Sequence, residues 1–262
     1  MQEEDYGRIH AEAIERYHSI KERSGLGNVP SVVVEGKEIF FRGRVADPDN
    51  LTPVENHFSY PPRRFCSEYG RANIPSFPVF YAAESPVTIA NELRLGPESW
   101  LHIAVFYMPA RERIDRLLLI HDDFKSGRPW AKHRDDLKSY MFNLPDQSDP
   151  AEEWRRLQET ARQFRSDCYE GTSAISHFWL YHVGLDGVIY PSLRTDDFCN
   201  FAMHPRFVDR CLKLYCVHAC FWTVDRLHLL HTGYPAAEGQ LAWTPSTQAQ
   251  ADEWSQGFKA LL

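Results

Sequence analysis

Between Gly70 and Arg94 the chain reads GRANIPSFPVFYAAESPVTIANELR, which places Arg71, Tyr81 and Glu92 ten and eleven residues apart. An arginine after a glycine in a turn can meet an anion with two parallel N–H donors. A tyrosine at the end of a strand offers a ring to stack against, and a glutamate on the following helix supplies a carboxylate. Two further arginines, Arg42 and Arg44, alternate along IFFRGRV on a strand, which leaves open which of them faces a site. Downstream, Ser192 follows GVIYP at another strand end, with Asn200 across a short loop. Guanidinium, phenol, carboxylate, hydroxyl and amide are the groups that bind and act on an anionic, ring-bearing small molecule. Each of them taken singly is more often a solvated surface group.

Those residues need elements to hold them. Residues 3–23 carry Tyr6, Ile9, Ala13, Ile14, Tyr17 and Ile20 on a helical stripe, ended by SGLGNVP. SVVVEGKEIFFRGRV at 31–45 reads as strand, as do PVFYAA at 78–83 and HIAVFYM at 102–108. Ser85 before Pro86 is an N-cap followed by proline at the first helical position, so a helix is expected from Pro86 to about Leu95. From about 110 to 170 the pattern is charged and helical, with a proline-rich break at LPDQSDP. HFWLYHVG, DGVIYPS and FCNFAMHP then return as short apolar segments. LKLYCVHACFWTVDRLHLLH reads as one or two more strands, and the Gly-, Pro- and Gln-rich stretch from Thr232 as a peripheral tail.

The sum is an α+β chain with a mixed or antiparallel sheet core and flanking helices. It divides into an N-terminal helical segment (1–30), a central domain (31–230) with a helical insertion at about 110–170, and a C-terminal tail (231–262). A length of 262 residues is enough to bury a real core. A net charge of −7 argues against general nucleic-acid binding, while leaving room for a few arginines to line one pocket. The first residues show no basic-then-apolar leader and no run approaches a membrane span, so a cytoplasmic location is expected. Six cysteines, three of them in C-x4-C-x3-C around His218, lack the tight pairs of a metal site and are expected as packed core residues, with no metal assigned.

Three blocks resemble the RES domain family, named for its arginine, glutamate and serine. Phe41-Arg42-Gly43-Arg44, followed by Pro61-Pro62, is similar to its aromatic-Arg-x-Arg opening. Gly70-Arg71-Ala72-Asn73, Pro78 to Ala83 and Thr88 to Arg94 resemble its central block, and Asp186 to Ser192 with Asn200 its closing block. Two positions depart from the family pattern: Ser76 stands where glycine is frequent, and Ile89 where alanine is more usual.

The resemblance implies an ADP-ribosyltransferase-like fold and breakage of the nicotinamide–ribose bond of NAD+, as a toxin held by a helix-turn-helix antitoxin. NAD+ is then the substrate, phosphate a possible co-substrate, and no separate cofactor is needed. On this reading Arg71, with Arg42 or Arg44, holds the diphosphate and Tyr81 orients the nicotinamide side. Glu92 supports the oxocarbenium ion that forms as nicotinamide leaves, and Ser192 places the ribose or the incoming phosphate or water. Asn73 and Asn200 complete the substrate-binding set. Transfer of ADP-ribose to a macromolecule, or a non-catalytic module that binds NAD+ or ADP-ribose, would use the same arginines. An interaction protein built on the aromatic C-terminal strand would show no nucleotide dependence.

Overall fold

The computed structural model describes residues 3–24, 31–35, 38–47, 49, 51, 54–96, 98–120, 149–165, 169–195, 199–223, 227–252 and 254. The glycine–proline break at 25–30, residues 121–148 of the expected insertion and Cys168 lie outside the described residues. The chain forms two compact units: Met1–Val34, Pro61–Phe80 and Arg113–Arg210 make one, and Glu35–Tyr60, Tyr81–Glu112 and Cys211–Leu262 the other.

The first unit opens with helix α1 (Glu3–Ser24), whose Ala13, Tyr17 and Ile20 are buried as the stripe predicts. Its strands run in the order β1 (Ser31–Glu35), β5 (Arg113–Leu119), β6 (Gly187–Pro191), β7 (Cys199–Met203). β5 and β6 are parallel, with Leu117 opposite Gly187, and β6 and β7 are antiparallel. Helix α3 (Pro150–Phe164) packs on β6 and on α4 (Tyr169–His177), and α4 also packs along α1. Tyr17 of α1 stacks on Phe178 with ring centres 3.7 Å apart. A short helix, α5 (Pro205–Cys211), follows β7.

The second unit is antiparallel throughout. Its order is β3 (Phe80–Ala83), β2 (Ile39–Val45), β4 (Ser99–Tyr107), β8 (Lys213–Trp222), β9 (Leu227–Pro235), β10 (Leu241–Pro245). The parallel pair β5–β6 beside antiparallel ladders, with helices set between strands, is the expected α+β class. Helix α2 (Pro86–Glu92) packs on β2 and β4 around a cluster of Val87, Ile89, Ala90, Leu101, Ile103 and Cys220.

Three local expectations change. The stretch from 110, read as helical, contains strand β5: Ile114 and Leu117–Leu119 are buried while Arg113, Asp115 and Arg116 stay exposed. A seven-residue run of mixed charge and leucine carries no period of its own, and pairing with β6 decides it. HFWLYH is not a free apolar segment but a π-helical turn (Phe178–His182) that continues α4. The stretch from Thr232 is sheet, because its Gly and Gln mark a hairpin. Ala236 N–H donates to the Gln240 carbonyl, Glu238 and Gly239 take positive φ, and Trp243 lies flat over Gly233, where a side chain would touch the ring. Cys211, Cys216 and Cys220 are buried in α5 and β8, the packed role expected of them.

Candidate active site

In the second unit, β2 presents two different faces. Gly43 faces α2: a β-carbon there would overlap the Ile89 γ-methyl and stand 2.9 Å from Leu93 Cδ1. Arg42 and Arg44 therefore project to the other face. Arg42 is 9% exposed, and its Nη1 donates to the Tyr81 carbonyl at 2.8 Å. Burial, then the charge of Arg44, pulls its pKa down to about 10, with the Tyr81 phenol opposing. Arg44 is exposed and pairs across the ladder with His102. Partial burial moves the Arg44 pKa down as well.

Sequence reading passed over His102, although a histidine one strand across from an arginine pair was visible in HIAVFYM. It is buried between Phe58 and Trp243, at ring distances of 5.7 and 5.4 Å, and burial holds its pKa at about 4. The ring is thus neutral beside Arg44 near pH 7.

Ser85 caps α2 as expected, its Oγ accepting from Thr88 N–H at 3.1 Å, with Pro86 at the first position. The helix closes earlier than Leu95, at Glu92, because Leu93 already caps it and Arg94 has φ of 52°. Glu92 is half-buried in the final turn, where the helix dipole disfavours a carboxylate. The structure brings Arg42 to Tyr81. Glu92 rides on the helix that covers the opposite face of β2.

In the first unit, Arg71 is 8% exposed. Its Nη1 donates to the Phe164 carbonyl at the C-terminal end of α3, and its guanidinium carbon lies 5.0 Å from the Tyr169 ring centre. A cation at the end of a helix satisfies a carbonyl that lacks a partner within the helix. Asn73 donates to the Glu68 carbonyl at 3.0 Å and its own carbonyl accepts from Gly70 N–H, so it ties the Arg71 turn. Ser192 Oγ accepts from Arg194 N–H at 3.0 Å and Thr195 N–H at 3.2 Å, a serine turn just past β6. Asn200 is buried opposite Tyr190 in the β6–β7 register, and the Tyr190 ring meets the Phe164 ring at 5.5 Å. A chain of contacts thus links Arg71 through Phe164 and Tyr190 to Asn200.

The family model described as RES domain matches residues 43–213. The chain belongs to the RES domain family. The RES span contains Arg44, Arg71, Asn73, Tyr81, Glu92, Ser192 and Asn200, and Arg42 stands one residue before it. Among solved structures, the crystal structure of the M. tuberculosis MbcT–MbcA toxin–antitoxin complex is similar at 15% identity, over 80% of this chain and 92% of that one, with a TM-score of 0.34. No curated protein matches.

The two departures from the usual RES pattern have geometry behind them. Ser76 has φ of 71°, the left-handed region that favours glycine, and its N–H donates to the Cys66 carbonyl at 2.6 Å. Ile89 is the residue that fills the space above Gly43. Among the described residues of this RES chain, no group of three or more His, Cys, Asp or Glu could hold a metal ion, and no helix is long and apolar enough to cross a membrane.

Proposed function

We propose that this protein is an NAD+-consuming enzyme that cleaves the nicotinamide–ribose bond, passing ADP-ribose to phosphate or water. The observation that carries the reading is the RES match, whose span contains Arg44, Arg71, Tyr81, Glu92 and Ser192. The diphosphate of NAD+ calls for a guanidinium group, and exposed Arg44 on β2 supplies one. Loss of nicotinamide leaves positive charge on the ribose, and a carboxylate held near it helps most in the transition state. Glu92 fills that role. Its position against the helix dipole is the kind of local cost that a functional carboxylate carries. The Ser192 oxygen accepts two backbone N–H groups, which fix it just past β6, where it would place a ribose hydroxyl or an incoming oxygen.

In the cell such an activity drains NAD+, so we read the protein as the toxin of a two-gene pair with a helix-turn-helix antitoxin as partner, acting in the cytoplasm. The test is to incubate purified protein with NAD+, with and without inorganic phosphate, and resolve products by mass spectrometry with Glu92→Ala alongside. Nicotinamide release that the variant loses supports the reading. ADP-ribose-1″-phosphate then identifies phosphorolysis, and free ADP-ribose hydrolysis. Intact NAD+ in every reaction rejects it.

A further inference from the structure

We propose that Arg42 is a positioning residue for Tyr81, and that Arg44 is the β2 arginine that meets the diphosphate; this rests on the NAD+ reading above. Arg42 and Arg44 share one face of β2, so alternation does not separate their roles. Their surroundings do. Arg42 is buried and donates to the backbone carbonyl of Tyr81 at 2.8 Å, whereas Arg44 is exposed.

The bond has a specific mechanical effect. β3 meets β2 through the register pair Phe41 opposite Ala83. Arg42 is the next residue after Phe41, and its side chain reaches the carbonyl two residues before Ala83. That contact fixes the peptide at Tyr81, and with it the direction in which the ring leaves the strand. A guanidinium stripped of water and bonded to a fixed carbonyl is placed to hold protein, whereas a two-pronged grip on a diphosphate requires an open fork. Arg44 provides one, and neutral His102 across the ladder adds no competing charge.

The test is a double-mutant cycle read by steady-state nicotinamide release. Arg42→Ala is expected to lower kcat by about 20-fold or more while KM for NAD+ stays within about threefold. In a Tyr81→Ala background the same change is expected to cost less than about threefold more, because the ring it positions is gone. Arg44→Ala is expected to raise KM by about tenfold with kcat nearly kept. If Arg42→Ala does not fold, Arg42→Met takes its place in the cycle, since it fills much of the buried space while offering no N–H donor to the Tyr81 carbonyl. Additive losses, or a KM rise at Arg42 equal to that at Arg44, overturn the proposal while the NAD+ reading stands. A wild-type protein that releases no nicotinamide overturns both.

Discussion

Gly43 of β2 and Ile89 of α2 are complementary: a β-carbon at 43 would overlap the Ile89 γ-methyl, yet the Ile89 β-carbon itself is 3.5 Å away, an ordinary contact. Isoleucine at 89 thus demands glycine at 43. Gly43→Ala should destabilise the protein by about 2 kcal/mol through overpacking, and should lower nicotinamide release because α2 carries Glu92. Ile89→Ala alone should cost about 2–3 kcal/mol. Combined, they should cost at least about 1 kcal/mol less than their sum, since truncating Ile89 leaves room for the methyl group added at position 43. Urea unfolding of the four proteins measures this, and simple additivity would rule the relationship out.

Glu92 tests whether function is held against stability. Replacing the carboxylate with an amide removes an unfavourable interaction with the α2 dipole of about 0.3–1 kcal/mol. Glu92→Gln, which keeps the shape of the side chain, should melt within about 3 °C of wild type. Nicotinamide release should fall by about 100-fold or more. A variant that loses stability and activity together would make Glu92 a structural residue.

At Ser76 the backbone, rather than the hydroxyl, sets the preference. Ser76→Ala and Ser76→Gly both delete the oxygen, so comparing them isolates the cost of φ near 71°. Glycine should be the more stable of the two by about 1 kcal/mol, visible as a higher urea midpoint with an unchanged slope. Equal midpoints would mean that the turn relaxes without cost.

Acid should loosen the first unit through His177. This ring is buried between Phe77 and Tyr181, and its Nε2 shares a 2.8 Å hydrogen bond with His10 Nδ1. Burial, then the charges His10 and His182 would carry, lowers its pKa from 6.5 to about 3. The folded protein keeps it neutral while the unfolded chain takes up a proton near pH 6.5. Its contribution is therefore whole above pH 6.5 and is lost as pH falls toward 3. Between pH 7.5 and 5.5 the wild type should lose about 1 kcal/mol more than His177→Gln, read by urea unfolding at the two pH values. His102, His204 and His218, each lowered to about 4, act in the same direction in both proteins and cancel from the comparison.

Local signals located much of the molecule. Ser85-Pro86 announced the start of α2, the stripe from Tyr6 to Ile20 announced α1, and both stand because capping and amphipathic periodicity act within a few residues. Strand β5 and the hairpin of β9 and β10 escaped that reading, since a short strand has no identity until its partner is known. The end of α2 at Glu92 was also out of reach: no glycine stops it, and the turn at Arg94 does.

The sequence by itself determined the residue types and order that define a RES chain: two arginines on β2, Arg71 after a glycine, Tyr81, Glu92 on a capped helix, and Ser192 past a strand. These were legible because side-chain chemistry and spacing are properties of the chain alone. Only the tertiary structure decided how those groups are used. It buried Arg42 against the Tyr81 carbonyl and left Arg44 exposed, and it turned Arg71 to the end of α3. It also set neutral His102 across from Arg44. The reason is physical: desolvation and hydrogen-bond partnership depend on what packs around a side chain, and residues far away in sequence supply that packing.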